Sequence, residues 1–270
     1  MLKQISLLIL CAVAIVLFAT PVHACTSAVV SGKVTLDGRP LLWKNRDTDF
    51  MRNHVDYVKG ERYDFIAVVN SANAYLKEAW MGTNSAGFAL MNTQSYNLVD
   101  VKGDEERGAA NGRVIYRALE VCATVEDFCH FLDTISKPSD IEANFGVIDA
   151  QGGAAMFEVD YYKYVMYDAN NPKDAPYGYI ARTNFSFAGK VTEGAGYVRY
   201  MEADQVLMKA SATGNITPQF IFNDLSRSFR NRMLDIDLRS GGYNRPQASG
   251  WFIDQDFIPR SSTSCSVVVQ

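Results

Sequence analysis

A cysteine placed directly behind an export-like leader is the feature that most constrains this chain. Residues 1–24 read MLKQISLLILCAVAIVLFATPVHA. Lys3 precedes an apolar run over residues 5–20, Pro21 follows, and Val22-His23-Ala24 has the small-x-small shape of a signal peptidase site. The run falls short of the ~20 residues of a bilayer span, so a signal peptide removed after Ala24 is expected over a retained anchor. The expected destination is a periplasm or the exterior, with no membrane contact beyond the lost leader. Cleavage leaves residues 25–270, with Cys25 as the first residue.

Two readings of Cys25 compete. Val22-His23-Ala24-Cys25 could be a lipobox, with Cys25 carrying lipid on a non-catalytic, anchored lipoprotein. Cys25 could instead be a nucleophile released by cleavage. His23 fits a lipobox poorly, and no polar tether follows the cysteine. Instead, Thr26-Ser27-Ala28-Val29-Val30 enters an apolar strand at once. That favours a cysteine held inside the fold.

An N-terminal cysteine has a simple chemical logic. A thiol is mostly protonated at neutral pH and needs a base to become a nucleophile. An α-amino group titrates near pH 8, so part of it is free base. Cys25 can therefore carry nucleophile and base on one residue. The sequence has three histidines, and His23 goes with the leader. His54 and His130 alone cannot build a zinc cluster, and nothing pairs them as ligands. They read as structural or solvated, and neither a metal nor a cofactor is expected. What the chemistry still needs is an acid or amide to orient the amine, and donors for an oxyanion.

The remaining composition is permissive. A chain of 270 residues that is 48% hydrophobic can bury a core without disulfides, and five cysteines are too few for a disulfide scaffold. Cys122, Cys129 and Cys265 read as core thiols. The formal charge of -4 offers no basic footprint for nucleic acid, so the expected partner is a small molecule. A homo-oligomer is left open. No linker, repeat or low-complexity stretch divides residues 25–270, which read as one domain.

Periodicity predicts a strand over 26–34, a turn at Asp37-Gly38 and a return strand from 40 that ends in Asn45-Arg46-Asp47-Thr48-Asp49. The hairpin brings Asn45 and Asp47 near Cys25, on one face of the strand. Further strands are expected over 65–69, 76–81 and 88–93, with residues 82–87 as a turn. Helices follow over 111–123 and 125–135, the second with Thr124 and Asp127 in capping-box positions. Strands at 144–148, 154–159, 164–167 and 177–182 come next, then helices at 196–210 and 218–229 and a closing strand at 266–269. Strands in two groups, separated and followed by helices, point to an α+β fold, a four-layer αββα sandwich of two antiparallel sheets between helix layers.

Cys25-Thr26-Ser27 behind a signal, Asn45-Arg46-Asp47, Gly82-Thr83-Asn84-Ser85-Ala86-Gly87 and Thr183-Asn184 occur in that order. The pattern resembles the N-terminal-nucleophile hydrolases of the penicillin acyltransferase and choloylglycine hydrolase group (linear amide C–N hydrolases, peptidase family C45-like). The resemblance spans nearly all of residues 25–270. It implies that Cys25 is the nucleophile, Asp47 the acid that holds its amine, Asn184 the side-chain oxyanion donor and Arg199 a stabilising arginine. Asn92, or a backbone amide near it, is implied as the second donor, although it falls a residue or two short of the family position, which Gln94 could take. Lys44 stands where bile-salt hydrolases have an arginine, and with Asn45 it completes the substrate candidates. Arg46 and Asp49 read as surface or structural charges.

The expected activity is hydrolysis of linear amides of N-acyl compounds through a thioester on Cys25. An acceptor amine would give acyl transfer instead. Bile salts, penicillin V and other N-acyl amines are the candidate substrates, and a dipeptidase of the related N-terminal-cysteine type is the nearest alternative.

Overall fold

The structure is a computed structural model that describes residues 24–99, 108–240 and 256–270. The leader before Ala24 lies outside the described residues. Two antiparallel sheets make up most of the fold. The smaller contains β1 (Cys25–Val30), β2 (Leu41–Asp47), β10 (Tyr179–Arg182) and β13 (Thr263–Val269), in the order β10-β1-β2-β13. The larger runs in sequence order through β3 (Asn53–Val58), β4 (Phe65–Asn70), β5 (Met81–Asn84), β6 (Ala89–Gln94), β7 (Ala143–Ile148), β8 (Ala154–Val159) and β9 (Tyr164–Asp168). A short pair, β11 (Arg230–Asn231) and β12 (Ile236–Asp237), stands apart.

Alternation along the strands builds three apolar layers. Val29 and Leu42 pack against Met81, Met91, Ile148 and Met156 between the two sheets. Ala28, Val30, Leu41 and Trp43 point the other way, onto helix α3 (Tyr197–Ser211) and a short turn at Pro218–Phe220 that continues as a π-helical turn over Ile221–Leu225. The outer face of the large sheet buries Phe65, Leu90, Phe145 and Phe157 against α1 (Asn111–Val121) and α2 (Val125–Thr134). This is the expected αββα sandwich: each sheet is apolar on both faces, and each needs a helix layer outside it. Gly146 shows how closely the sheets meet. A Cβ there would lie 2.3 Å from Met91 Cε and 2.8 Å from Val29 Cγ2.

Several local expectations hold. Asp127 N–H donates to Thr124 Oγ1 at 3.0 Å and Thr124 N–H to Asp127 Oδ2 at 3.1 Å, a complete capping box. Cys122, Cys129 and Cys265 are free thiols, but only Cys122 is the buried core thiol expected; Cys129 and Cys265 are half-buried.

Others need correction. The first strand stops at Val30, because Ser31 caps a 3₁₀ turn over Gly32–Val34 by accepting from Lys33 N–H. No strand occupies 76–80. A 3₁₀ turn over Ala74–Leu76 ends on Lys77 in the left-handed region, and β5 begins only at Met81, so Gly82 lies in that strand and the turn is confined to 85–87. The strand expected from 177 begins at Tyr179, after Gly178 at φ +70°. The helix from Pro218 ends in the π turn at Leu225 rather than at 229. The closing strand is longer than expected, starting at Thr263. The edge strand β3 is an addition to the expected strands; its Val55 and Tyr57, two apart, share one face and are exposed. Arg46 is no surface charge; it is buried.

Candidate active site

Cys25 opens β1 between two neighbours. Its pairing with β2 sets it opposite Arg46, and pairing of Ser27 with Arg182 in β10 carries the register on to Asn184, level with Cys25. The Ala24–Cys25 peptide bond is intact here, so the Cys25 nitrogen is an amide that stands in for the α-amino nitrogen of a cleaved chain. That N–H donates to Asn184 Oδ1 at 2.9 Å. The thiol faces the space between the sheets and lies 3.9 Å from the Asp47 carbonyl oxygen.

Asn184 is held from all sides. Its backbone exchanges two hydrogen bonds of 3.1 Å with Ala195. Asn144 Nδ2 donates to the carbonyls on either side, those of Thr183 and Phe185. Asn184 Oδ1 also accepts from Arg199 Nη2 at 2.9 Å, while its Nδ2 donates to the Gln94 carbonyl at 2.8 Å. Two donors on Oδ1 fix the sense of the amide. One hydrogen of Nδ2 remains for another acceptor.

Arg199 comes from the first turn of α3 and is 1% exposed. Besides Asn184 it donates through Nη1 to the Cys25 carbonyl at 2.6 Å and to Thr26 Oγ1 at 2.8 Å. Burial pushes its pKa down to about 10, with Asp47 opposing. Gly196 makes this reach possible. It starts the helix at φ +87°, and a Cβ there would lie 2.3 Å from Arg199 Nη2. Gly196→Ala should therefore displace the guanidinium and strain the backbone, costing about 1–3 kcal/mol of stability and about tenfold or more in kcat/KM. Thermal melting and steady-state kinetics on the purified variant check both.

Strand alternation separates the β2 candidates. Asn45 and Asp47 do share one face, as expected, but it is the face toward the helix layer, whereas Cys25, Lys44 and Arg46 face the large sheet. Asn45 Nδ2 donates to the Ser226 carbonyl at 3.0 Å and does not reach the thiol's side. Asp47 lies at the strand end. Its Oδ1 accepts from Thr263 Oγ1 at 2.6 Å, and its buried Oδ2 has no hydrogen-bond partner, with Arg260 Nη1 at 3.6 Å. Burial raises its pKa to about 6.

Lys44 Nζ donates to the Trp80 carbonyl and to Asn92 Oδ1, both at 3.0 Å. Burial lowers its pKa, with the Cys25 thiol opposing. Asn92 is thus a partner of Lys44. Gln94 offers no side-chain donor to the site. Its Nε2 donates to the Ser95 and Glu142 carbonyls, its Oε1 accepts from Asn111, and only its carbonyl meets Asn184. His54 bonds Ser71 at the sheet edge and His130 lies 3.8 Å from Glu126 on α2. Among the described residues no group of His, Cys, Asp and Glu could hold a metal ion.

The model of the acyl-coenzyme A:6-aminopenicillanic acid acyl-transferase family matches residues 35–221. The chain belongs to that family. Asp47, Asn92, Asn184 and Arg199 fall inside the matched range, and Cys25 lies just before it. The acyl-transferase family places the chain among enzymes acting on linear amide carbon–nitrogen bonds, with the N-terminal-nucleophile fold. Among solved structures it is similar to a Caenorhabditis elegans N-acylethanolamine-hydrolyzing acid amidase ortholog, with TM-score 0.50 and 15% identity over 74% of this chain and 89% of that one. A conjugated bile acid hydrolase variant from Clostridium perfringens gives TM-score 0.45 and 15% identity, covering 80% and 76%. Penicillin V acylase from Agrobacterium tumefaciens gives 0.42 and 16%, covering 72% and 68%. No curated protein matches. Among the described residues no helix is long and apolar enough to cross a membrane.

Proposed function

We propose that this acyl-transferase-family member is an exported amidase whose nucleophile, Cys25, becomes the first residue when the leader is cut after Ala24. The observation that carries the reading is the 2.9 Å bond from the Cys25 nitrogen to Asn184 Oδ1, in a side chain that Arg199 also clamps. After cleavage the nitrogen gains hydrogens and basicity and keeps an acceptor already in place. It takes the thiol proton, and the thiolate attacks the amide carbon. Asn184 Nδ2 offers its second hydrogen to the oxyanion. Collapse of the intermediate breaks the carbon–nitrogen bond, and the protonated amine gives its proton to the leaving nitrogen. Water then hydrolyses the thioester, releasing the acid and restoring the thiol. Intact mass and N-terminal sequencing of the exported protein test the reading. A first residue other than Cys25, or a diacylglyceryl-modified Cys25, would sink it. N-acyl amides, penicillin V and dipeptides assayed side by side sort the substrate classes.

Asp47 fits the role of amine holder. Its Oδ2 is buried without a hydrogen-bond partner while the nitrogen is an uncharged amide, and cleavage would supply a cation. The effect has a measurable signature in the uncleaved chain. A folded pKa of about 6 against 3.8 means that the folded state binds this proton more tightly. The resulting stability is complete below pH 3.8 and is lost as the pH rises through about 6, by ~3 kcal/mol at most. Thermal melts of uncleaved protein should show this decline between pH 4 and 6 relative to Asp47→Asn, and cleaved protein should show less of it. Equal slopes in native and Asp47→Asn uncleaved protein would remove Asp47 from the role.

A further inference from the structure

Asn184 is tied to both sheets. It follows β10 in the smaller sheet, and its Nδ2 gives one hydrogen to the carbonyl of Gln94, the last residue of β6 in the larger. The direction of the other hydrogen, the one left for an oxyanion, therefore depends on how residues 183–186 sit against the larger sheet. Asn144, in β7, sets that seat. Its Nδ2 donates to the Thr183 carbonyl at 3.3 Å and the Phe185 carbonyl at 3.1 Å, with Thr93 Oγ1 also at 3.1 Å. Its Oδ1 accepts from Ser186 Oγ at 2.6 Å. One fully buried side chain thus grips residues 183, 185 and 186 from the facing sheet.

The grip meets a need of the backbone. Asn184 N–H and C=O both turn toward Ala195. In an extended chain the carbonyls on either side face the opposite way, and a buried carbonyl without a donor is costly. Asn144 supplies donors to both. The segment is fixed further along as well. Ser186 N–H donates to Asn97 Oδ1 at 2.8 Å, Asn97 Nδ2 donates to the Ser186 carbonyl at 2.9 Å, and Ser95 Oγ lies 2.9 Å from Ser186 Oγ. Ser95 adjoins Gln94, so the acceptor of the first Nδ2 hydrogen and the anchors of the backbone belong to one buried network. A buried network with its donors and acceptors matched holds a single arrangement.

We infer that Asn144 is a positioning residue for the oxyanion donor, aiming Asn184 Nδ2 through the peptide units on either side of it. The inference rests on the amidase reading above and adds to its machinery a residue that acts only through Asn184.

The test is a double-mutant cycle in kcat, read with penicillin V and hexanoyl-p-nitroanilide on processed protein. Asn144→Ala should lower kcat by about tenfold to a hundredfold with KM within about threefold of native, the scale expected when a reacting group is misplaced by about an ångström. In the Asn184→Ala background the same change should cost less than about twofold, because the group it aims is gone. Ser186→Ala leaves the Asn144 amide in place, should lose severalfold with the same dependence on Asn184, and replaces Asn144→Ala if that variant fails to fold. A purely structural role would subtract equally in both backgrounds, and that result overturns the inference. Crystal structures of native and variant protein, both uncleaved, separate the two readings. An Asn184 amide displaced in the variant, with no turnover in native protein, supports the positioning and refutes the amidase. An unmoved amide with native turnover intact refutes the positioning alone. An unmoved amide and no turnover refute both.

Discussion

Cys25→Ala is expected to lose at least about 10⁴-fold in turnover of any N-acyl amide the protein cleaves, because no other group can form the thioester. The measurement is steady-state release of the free acid by purified, processed protein. Activity within tenfold of native would exclude Cys25 as nucleophile. A second readout guards against misfolding: alkylation by iodoacetamide followed by peptide mapping. Burial pushes the Cys122 thiol up to about 12 and raises those of Cys129 and Cys265, so those three should react slowly. Rapid single modification should fall on Cys25, be absent from Cys25→Ala and abolish activity in step.

Asn184 should give the next largest effect. Its Oδ1 accepts from the Cys25 nitrogen and the Arg199 guanidinium, and the hydrogen that its Nδ2 does not give to the Gln94 carbonyl is the one the proposed mechanism offers to the oxyanion. Asn184→Ala removes both functions, and a loss of about 10²–10³-fold in kcat is expected. Asn184→Asp separates them, since the carboxylate keeps the acceptor for nitrogen and arginine and lacks the N–H. If oxyanion binding dominates, Asp should be nearly as inactive as Ala. If orientation of the amine dominates, Asp should recover most of the loss. Near-native kcat in Asn184→Ala would remove the residue from the mechanism.

The parts of this site that could be read along the sequence are those carried by order and short-range geometry. An apolar strand starting at Cys25, the Asp37-Gly38 turn and the return through Asp47 form one local hairpin, with Gly38 at φ +78° as the turn requires. The capping box on α2 is equally local. What escaped depends on partners distant in the chain. Arg46 looks like any surface arginine until Trp80 and Asn70 are seen beside it. Gln94 matters through its carbonyl, which no side-chain pattern can announce. Alternation could have placed Asn45 and Asp47 on the face away from the thiol, since residues paired across a hairpin share a face and Cys25 pairs with Arg46. Gly196, three residues before Arg199, carried a signal of its own: a glycine at a helix start, one turn ahead of a buried charge. The strand expected at 76–81 exists only from Met81, because a 3₁₀ turn ends at Leu76 and Lys77 at φ +54° breaks the extended chain.

Thr263 at the start of the closing strand and Arg260 just before it both reach Asp47, and the Thr263 bond spans 216 residues of chain. The second strand and the last therefore meet at the same carboxylate. A ribosome delivering this protein would emit Cys25 long before the residues that complete its surroundings. Pairing at such separation is slow to form, so a partly synthesised or partly threaded chain would hold a thiol without its acid in place. Competence would arrive all at once, when the final strand zips onto β2. Anything grafted onto or trimmed from that strand should act on chemistry at the opposite end of the sequence.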